Sequence, residues 1–209
     1  IWIPTLQVGY LITDDYLNLR VGAAGWSGLW ADYIHYGLPY VGVRPLSSAL
    51  YIVGLKTWGT GSAGFRALLL IVHAAGGWAV FRLAAQLGAH RTAAWMGAGL
   101  FLLTAANSQT LIWISCLPYA AGLVLALWAL DQHEAGRRGW AAALYAASLL
   151  CFPYLLLWPL LAAAGDAVRG RRDWKAWAGY VLVGLGWWVL QSLASPGRSV
   201  GGFPHAAGP

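Results

Sequence analysis

Two adjacent carboxylates, Asp14 and Asp15, stand out in a chain that has only seven acidic residues among 209. Neighbouring carboxylates repel each other and raise each other's pKa, so the pair is unfavourable unless a cation, a metal or a substrate uses it. A carboxylate with a raised pKa is suited to take a proton from a hydroxyl group. Thirty residues later stands Arg44, whose guanidinium is of the type that holds a phosphate through paired hydrogen bonds. These residue types predict acid–base chemistry beside an anionic group, with a divalent cation between Asp14 and Asp15 as an option.

Each of these residues also has a purely structural interpretation. Asp14 and Asp15 could cap a helix, because carboxylates at a helix start accept hydrogen bonds from free amides. Arg44 could extend from a surface helix to lipid headgroups. His73 lies within an apolar stretch, where an ionisable side chain is a functional candidate by default. Its alternative is a neutral imidazole bonded to a neighbouring helix.

The composition indicates the elements that must position these residues. Hydrophobic residues make up 59% of the chain and charged residues only 10%, more apolar surface than a soluble domain of this size can bury. About twenty apolar residues span a bilayer as a helix, and residues 92–130 are long enough for two spans. Fourteen Trp and ten Tyr suit membrane–water interfaces. We predict an all-α, polytopic membrane protein with about six or seven membrane segments.

Basic residues set the predicted topology. They cluster around Arg82 and Arg91, at Arg137-Arg138 and over 169–175, and the positive-inside rule places these three regions in the cytoplasm. The predicted spans are a truncated first one ending at residue 12, then 62–84, 92–106, 110–130 and 175–194. Residues 139–167 must cross an even number of times, turning at Phe152-Pro153-Tyr154. Each arm would then be about 21 Å long, which suits a re-entrant pair or two short helices sheltered by protein. One long tilted helix is the alternative.

The predicted organisation is a single transmembrane domain over 1–209, with an outer-face loop over 14–61 and transmembrane helices over 62–194. The loop contains two amphipathic stretches, 16–34 and 45–58, which we predict to be helices in the interface plane. The chain begins within a predicted span and its single Met is Met96, so we expect further residues at the front at least. The expected location is the inner membrane of a bacterium, with the 14–61 loop on the periplasmic side.

Several stretches, in this order, resemble the GT-C superfamily of membrane glycosyltransferases, and most closely its protein O-mannosyltransferase group and bacterial relatives. Thr13-Asp14-Asp15-Tyr16 resembles the acidic motif that opens the first outer loop, and Val43-Arg44-Pro45-Leu46 resembles a later motif of that loop. Residues 65–83, which include His73, are similar to the second span. Residues 106–115 resemble the turn between the third and fourth spans, and 149–161 resemble a short helix before a span with proline. The likeness covers the N-terminal half of such an enzyme.

The resemblance implies transfer of a sugar from a polyprenyl-phosphate donor to an acceptor on the outer face. The first acid of the loop, Asp14, would activate the acceptor, with Asp15 as the second choice. Arg44 would hold the lipid phosphate, and further cations on the same face would stabilise the leaving group as charge develops. The predicted catalytic residues are Asp14 and Asp15, and the predicted substrate-binding residues are Arg44, Lys56, Arg66 and His73.

Two regions depart from the family pattern. Where relatives have His-Pro and then Glu, this chain has Ala105-Ala106 and Gln109, and where they have Lys-Glu it has Cys151-Phe152. These differences remove charged groups from the outer face. They favour an alternative function, in which a catalytically silent relative is a structural or accessory subunit of a larger membrane complex. The expected partners are therefore membrane lipid, a polyprenyl-phosphate sugar and, for the alternative, other protein subunits.

Other patterns are too weak to carry a function. Gly25-Trp26-Ser27-Gly28 matches a rhomboid-protease pattern, but Ser27 lies in the predicted surface loop and not at the start of a membrane helix. Cys116 and Cys151 are too few for a disulfide framework, and their apolar surroundings favour buried free thiols. The net charge of +6 is spread over membrane-flanking loops, which argues against nucleic acid as a partner.

Overall fold

A computed structural model describes residues 23, 25–27, 44–104, 111 and 113–194 of the chain. Within these residues the protein is all-α, as predicted, and contains no β-strand. Two short 3-10 turns also occur: Ile114–Cys116 leads into the helix that begins at Leu117, and Pro153–Leu157 leads into the helix that begins at Trp158. The helices of the 44–194 region are α1 (Pro45–Trp58), α2 (Ser62–Gln86), α3 (Arg91–Leu103), α4 (Leu117–Glu134), α5 (Arg138–Cys151), α6 (Trp158–Val168) and α7 (Trp174–Ala194).

Helix α4 lies at the centre of the bundle. It packs along α5 on one side and α2 on the other, while α3 packs against α2 and α7 packs against α5 and α6. The bundle has two ends. At the first, which we call the α1 end, α1 contacts α2, α4 and α5. At the second, which we call the ion-pair end, α2, α4 and α6 finish and α3, α5 and α7 begin.

The three turns at the ion-pair end share one backbone design. Each contains a glycine with positive φ, namely Gly88, Gly136 and Gly170, a conformation that side chains with a Cβ rarely adopt. The amide that follows each glycine bonds back to a carbonyl five residues earlier: Ala89 to Ala84, Arg137 to Gln132 and Arg171 to Asp166. This is the Schellman arrangement, which satisfies the last carbonyls of a helix. The turns therefore end α2, α4 and α6 without unpaired backbone groups at these carbonyls.

Glycines also allow α2 and α3 to approach closely. A Cβ placed on Gly77 would lie 2.7 Å from the side chain of Leu102, and one on Gly76 would lie 3.0 Å from Phe101. In lipid, where helices gain little from the hydrophobic effect, small residues at helix interfaces permit close van der Waals packing. The α2–α3 contact follows this pattern.

Three helical segments of the described part are long and apolar enough to cross a membrane: Ser62–Gln86, Ile114–Glu134 and Trp174–Leu193. They correspond to the predicted spans at 62–84, 110–130 and 175–194, although the middle one begins and ends about four residues later than predicted. The predicted first span lies outside the described residues. The total of six or seven membrane segments is not confirmed.

The region between Arg138 and Val168 forms two short arms. Helix α5 has 14 residues and α6 has 11, and the 3-10 turn Pro153–Leu157 joins them. Phe152 breaks the first arm because its backbone is extended there, and the residue before a proline is disfavoured in helical geometry. The predicted turn is thus confirmed, and the alternative of one long helix is wrong.

Helix α1 has the bounds predicted for the second surface helix. Its buried face is not a plain apolar stripe, since it includes Ser47 and Ser48 beside Tyr51 and Ile52, and the Tyr51 hydroxyl donates to the Ile114 carbonyl across 3.1 Å. Val53 on this helix is exposed. Helix α1 is therefore docked on the bundle partly through polar contacts. The predicted first surface helix, 16–34, is described only at residues 23 and 25–27.

Candidate functional site

The predicted phosphate-binding residue, Arg44, immediately precedes α1 at its N-cap position. It is half-buried, and its guanidinium carbon lies 4.9 Å from the centroid of the Phe152 ring. Phe152 in turn packs against Tyr119, with ring centroids 3.8 Å apart. A cation over an aromatic ring is attracted by its negative face. The Arg44 side chain is therefore positioned by residues that follow α5 and begin α4.

Arg66 lies in the second turn of α2 and is completely buried. Its neighbour Phe65 is also buried and packs against Tyr51 and Trp58 of α1, with ring centroids 6.3 and 5.4 Å away. A guanidinium does not lose its proton in a protein, so this charge is held within the bundle where α1 crosses the start of α2. Charged side chains are rarely buried to this extent.

His73 lies seven residues after Arg66, on the same buried face of α2. Its Nε2 atom is 3.2 Å from the carbonyl oxygen of Leu102, and its ring stacks on Phe101 at 5.2 Å. A carbonyl oxygen only accepts, so Nε2 carries the proton. The Leu102 carbonyl belongs to the last turn of α3, where carbonyls have no partner within the helix. This contact matches the interpretation of His73 as a residue that joins two helices.

Lys56 lies in the last turn of α1 and is exposed. It lies twelve positions after Arg44, which corresponds to about 18 Å along a helix. The structure therefore does not bring Lys56 beside Arg44. Arg44 and Arg66 have more similar surroundings, because Arg44 is half-buried, Arg66 is buried, and both lie at the α1 end.

The remaining predicted site residues lie outside the described part of the chain. These are the catalytic candidates Asp14 and Asp15, with the optional divalent cation between them. The family departures at Ala105-Ala106 and Gln109 lie there too. The other departure, Cys151-Phe152, is described, and both side chains are buried. The buried free thiol predicted for Cys151 is confirmed, whereas Cys116 is only half-buried.

A narrow apolar groove of about 200 Å³ lies between α5 and α7. Leu149 and Leu150 line it from α5, and Val183, Trp187 and Leu190 line it from α7. The indole nitrogen of Trp187 is buried and has no hydrogen-bond partner among the described residues. Because the groove lies beside the last turn of α5, it is close to the α1 end and suits an apolar chain.

The ion-pair end carries a network of charged residues that sequence reasoning missed. It contains Asp131, Glu134, Asp166 and Asp173, four of the seven acidic residues of the chain. Asp131, at the end of α4, is completely buried and accepts from two residues of α2: Arg82 Nε at 3.1 Å and Gln86 Nε2 at 2.8 Å. The charged side chains thus fasten α4 to α2.

Asp166 is the centre of the network. Its Oδ2 atom lies 3.0 Å from His133 Nε2 and accepts from the Trp177 indole at 2.9 Å, while Oδ1 forms an ion pair with Arg171 at 2.8 Å. The Tyr180 hydroxyl lies 2.9 Å from His133 Nδ1. The Asp166 carboxylate can only accept, so the hydrogen of this contact is on His133 Nε2. Nδ1 of a neutral imidazole then carries no hydrogen and can accept from the Tyr180 hydroxyl. One buried aspartate therefore connects α4, α6 and α7.

Arginines from the loops complete the network. Arg171 bridges Asp166 and Glu134, and its hydrogen bond to Glu134 at 2.6 Å raises the pKa of the guanidinium. Arg169 also pairs with Glu134. Arg138 Nε lies 2.5 Å from Asp173 Oδ2. Partial burial alone would raise the pKa of Asp173, but the hydrogen bonds from Arg138 and the Ala176 amide outweigh it and lower that pKa.

Among the described residues, His133, Glu134 and Asp166 could offer three metal-ligand atoms within 4.8 Å of one another. These atoms are already used, because Arg169 and Arg171 neutralise Glu134, and Asp166 is held by His133, Arg171 and Trp177. A metal ion would have to displace these cations. The arrangement is structural, because it holds the ends of the helices together. We call Asp131, Glu134, Asp166, Asp173 and the side chains paired with them the clasp.

A local signal for this clasp was present in the sequence. Asp131 and Glu134 stand at the end of a long apolar stretch and Asp166 at the end of another, each within a few residues of a basic loop. Ionisable residues at such positions usually find a partner of opposite charge. The basic residues were interpreted only as signals of topology, but three of them, Arg82, Arg169 and Arg171, pair with these acids. No family model, curated protein or solved structure matches the chain.

Proposed function

We propose that the protein is a membrane glycosyltransferase that moves a sugar from a polyprenyl-phosphate donor to an acceptor at the α1 end. One observation carries the proposal. Arg44 contacts Phe152, so two of the stretches that carry the resemblance meet in space although 108 positions separate them. Arg66, buried where α1 packs on α2, adds a second guanidinium at this end.

The proposed reaction assigns one role to each kind of residue. The bond between the anomeric carbon of the sugar and the phosphate oxygen breaks, and a bond from that carbon to the acceptor oxygen forms. Asp14 takes the acceptor proton, with Asp15 as the second choice. The polyprenyl phosphate leaves with the negative charge, which Arg44 and Arg66 stabilise. The apolar groove between α5 and α7 would receive part of the isoprenoid tail.

The test is transfer of radiolabelled sugar from polyprenyl-phosphate donors by the purified full-length protein. Asp14→Asn should abolish turnover while donor binding remains. Asp32→Asn is the matched control, because Asp32 is another acid of the same predicted loop. Equal turnover in wild type and Asp14→Asn would refute the assignment of the base, and unchanged donor binding in Arg44→Gln would refute the phosphate site.

The second candidate is a catalytically silent subunit of a larger membrane complex. Cys151 and Phe152 favour it, because both are buried and uncharged where the related enzymes carry a charged pair. Phe152 is also engaged by Arg44. This candidate predicts that the wild-type protein neither binds nor consumes any donor and is recovered in a complex of fixed stoichiometry.

A further inference from the structure

The ion-pair end carries more positive charge than its internal pairs require. Eight basic residues and four acidic residues lie there, which leaves a surplus of four positive charges. Arg82, Arg138, Arg169 and Arg171 pair with the four acids. The other four are exposed and have no carboxylate partner among the described residues; they are Arg91, Arg137, Arg172 and Lys175.

These four cations stand directly at the starts of three helices. Arg91 opens α3, Arg137 precedes α5, and Arg172 and Lys175 flank the start of α7. The acidic side chains of the same end already pair with other basic residues, so they do not pair with these four cations. We call Arg91, Arg137, Arg172 and Lys175 the outer ring. The ring is therefore available to a negatively charged partner.

Exposed tryptophans indicate where the outer ring lies relative to the membrane surface. Each of the three helices that begin here carries one within its first five residues: Trp95 in α3, Trp140 in α5 and Trp174 in α7, whose relative exposures are 50%, 67% and 64%. Lys175 Nζ lies 5.7 Å from the Trp174 ring. Indole rings prefer the headgroup level of a bilayer, where one edge is apolar and the other is wet. The neighbouring cations thus lie at that same level.

We propose that the ion-pair end binds anionic phospholipid headgroups through Arg91, Arg137, Arg172 and Lys175. Basic residues beside a membrane segment attract anionic lipids electrostatically. The alternation of exposed cations with exposed indoles fits a lipid surface better than an acidic soluble partner, which would leave the apolar rings against water. The proposal concerns the end opposite to the donor site and does not depend on the glycosyltransferase assignment.

The test uses the full chain in nanodiscs of phosphatidylcholine with a minor share of phosphatidylglycerol. The readout is the ratio of the two lipids retained by the protein after transfer to mild detergent, measured by mass spectrometry. Wild type should retain phosphatidylglycerol in excess of its share, and the excess should shrink at high salt because screening weakens exposed charges. The quadruple variant R91Q/R137Q/R172Q/K175Q should lose the excess.

Lys56→Gln is the matched control, because Lys56 is an exposed cation at the α1 end and its variant should retain the excess. The two double variants, R91Q/R137Q and R172Q/K175Q, should each lose part of it and serve if the quadruple variant does not fold. An excess unchanged by all three ring variants would overturn the proposal. So would binding of polyglutamate, reduced by the same variants, without any lipid preference.

Discussion

His133 Nε2 lies 3.0 Å from Asp166 Oδ2, and both side chains are completely inaccessible to solvent. The two residues are 33 positions apart and end different helices, so their contact fixes α4 against α6. Trp177 and Tyr180 add α7 through the same pair. A buried polar group in an apolar surround is costly when it loses its partner. This relationship makes the ion-pair end a sensitive point for stability.

Asp166→Asn should therefore destabilise the protein strongly. The amide carries no charge for Arg171 to face, and its NH2 group must point either at Arg171 or at the donors of His133 and Trp177. Loss of a buried ionic partner costs about 3 kcal/mol or more. Unfolding in detergent, followed by tryptophan fluorescence, measures the change. Arg172→Gln, an exposed change two residues before the start of α7, is the control and should stay near wild type. A wild-type midpoint for Asp166→Asn would contradict the clasp.

Asp173 should make the stability of the folded protein depend on pH in the acidic range. Its pKa is lowered in the folded protein, so its ionised form adds stability above the ordinary aspartate value of about 3.9. That contribution is lost as the pH falls through the lower folded pKa. Asp173→Asn should reduce stability at neutral pH by up to about 1 kcal/mol, because the pair with Arg138 is partly exposed. The difference between the two proteins should vanish at the most acidic pH; a constant difference would show another cause.

His73→Leu should lower stability with little effect on the donor KM. The variant leaves the Leu102 carbonyl without its side-chain donor, and loss of such a hydrogen bond costs about 1–2 kcal/mol. His73→Gln keeps an N–H donor and should recover part of the loss. A large rise in donor KM at unchanged stability would instead place His73 in the substrate site.

Gly77→Ala should weaken the α2–α3 contact. The new methyl group would lie 2.7 Å from Leu102, and overpacking of a close contact costs about 1–3 kcal/mol. Gly97→Ala is a matched control on α3, since a Cβ there meets no atom within 4 Å. That variant should be neutral or stabilising, because alanine favours helix over glycine by up to about 1 kcal/mol. Equal behaviour of the two variants would exclude close packing at Gly77.

Arg44→Gln should raise the donor KM about tenfold or more if the proposed site is correct, because hydrogen bonds to a charged group contribute about 1.5–3 kcal/mol. Arg44→Lys keeps the charge but loses the paired donors, so its donor KM should lie between those of the wild type and Arg44→Gln. Steady-state transfer with a purified polyprenyl-phosphate sugar measures this. Lys56→Gln is the control, and its donor KM should stay within about twofold because it lies roughly 18 Å from Arg44 along α1.

Several helices could be located from sequence because their causes are local. Pro45 and Gly59 bound α1, and Gly88, Gly136 and Gly170 stop three helices. Proline is well placed at a first helical turn, and glycine is well placed just past a last one. Phe152 before Pro153 likewise predicted the break between α5 and α6. The predicted arm lengths followed from this break and from the basic loops on either side of residues 139–167.

The contacts of the candidate residues could not be located in the same way. Helices α2, α4 and α7 carry apolar residues on nearly every side, so the sequence contains no stripe that shows which face meets which neighbour. His73 was as compatible with a ligand as with the Leu102 carbonyl. Arg44 was as compatible with lipid headgroups as with the Phe152 ring.

The sequence by itself predicted the all-helical fold that the described residues have and the segments able to cross a membrane, and it indicated where many of them end. Hydrophobic length and turn chemistry act within a few residues, and therefore they are legible along the chain. Only the tertiary structure decided that Asp166 meets His133 and Arg171, that Arg44 meets Phe152, and that Lys56 lies apart from Arg44. These are pairings between distant segments, and they depend on how apolar helices rotate and pack against one another.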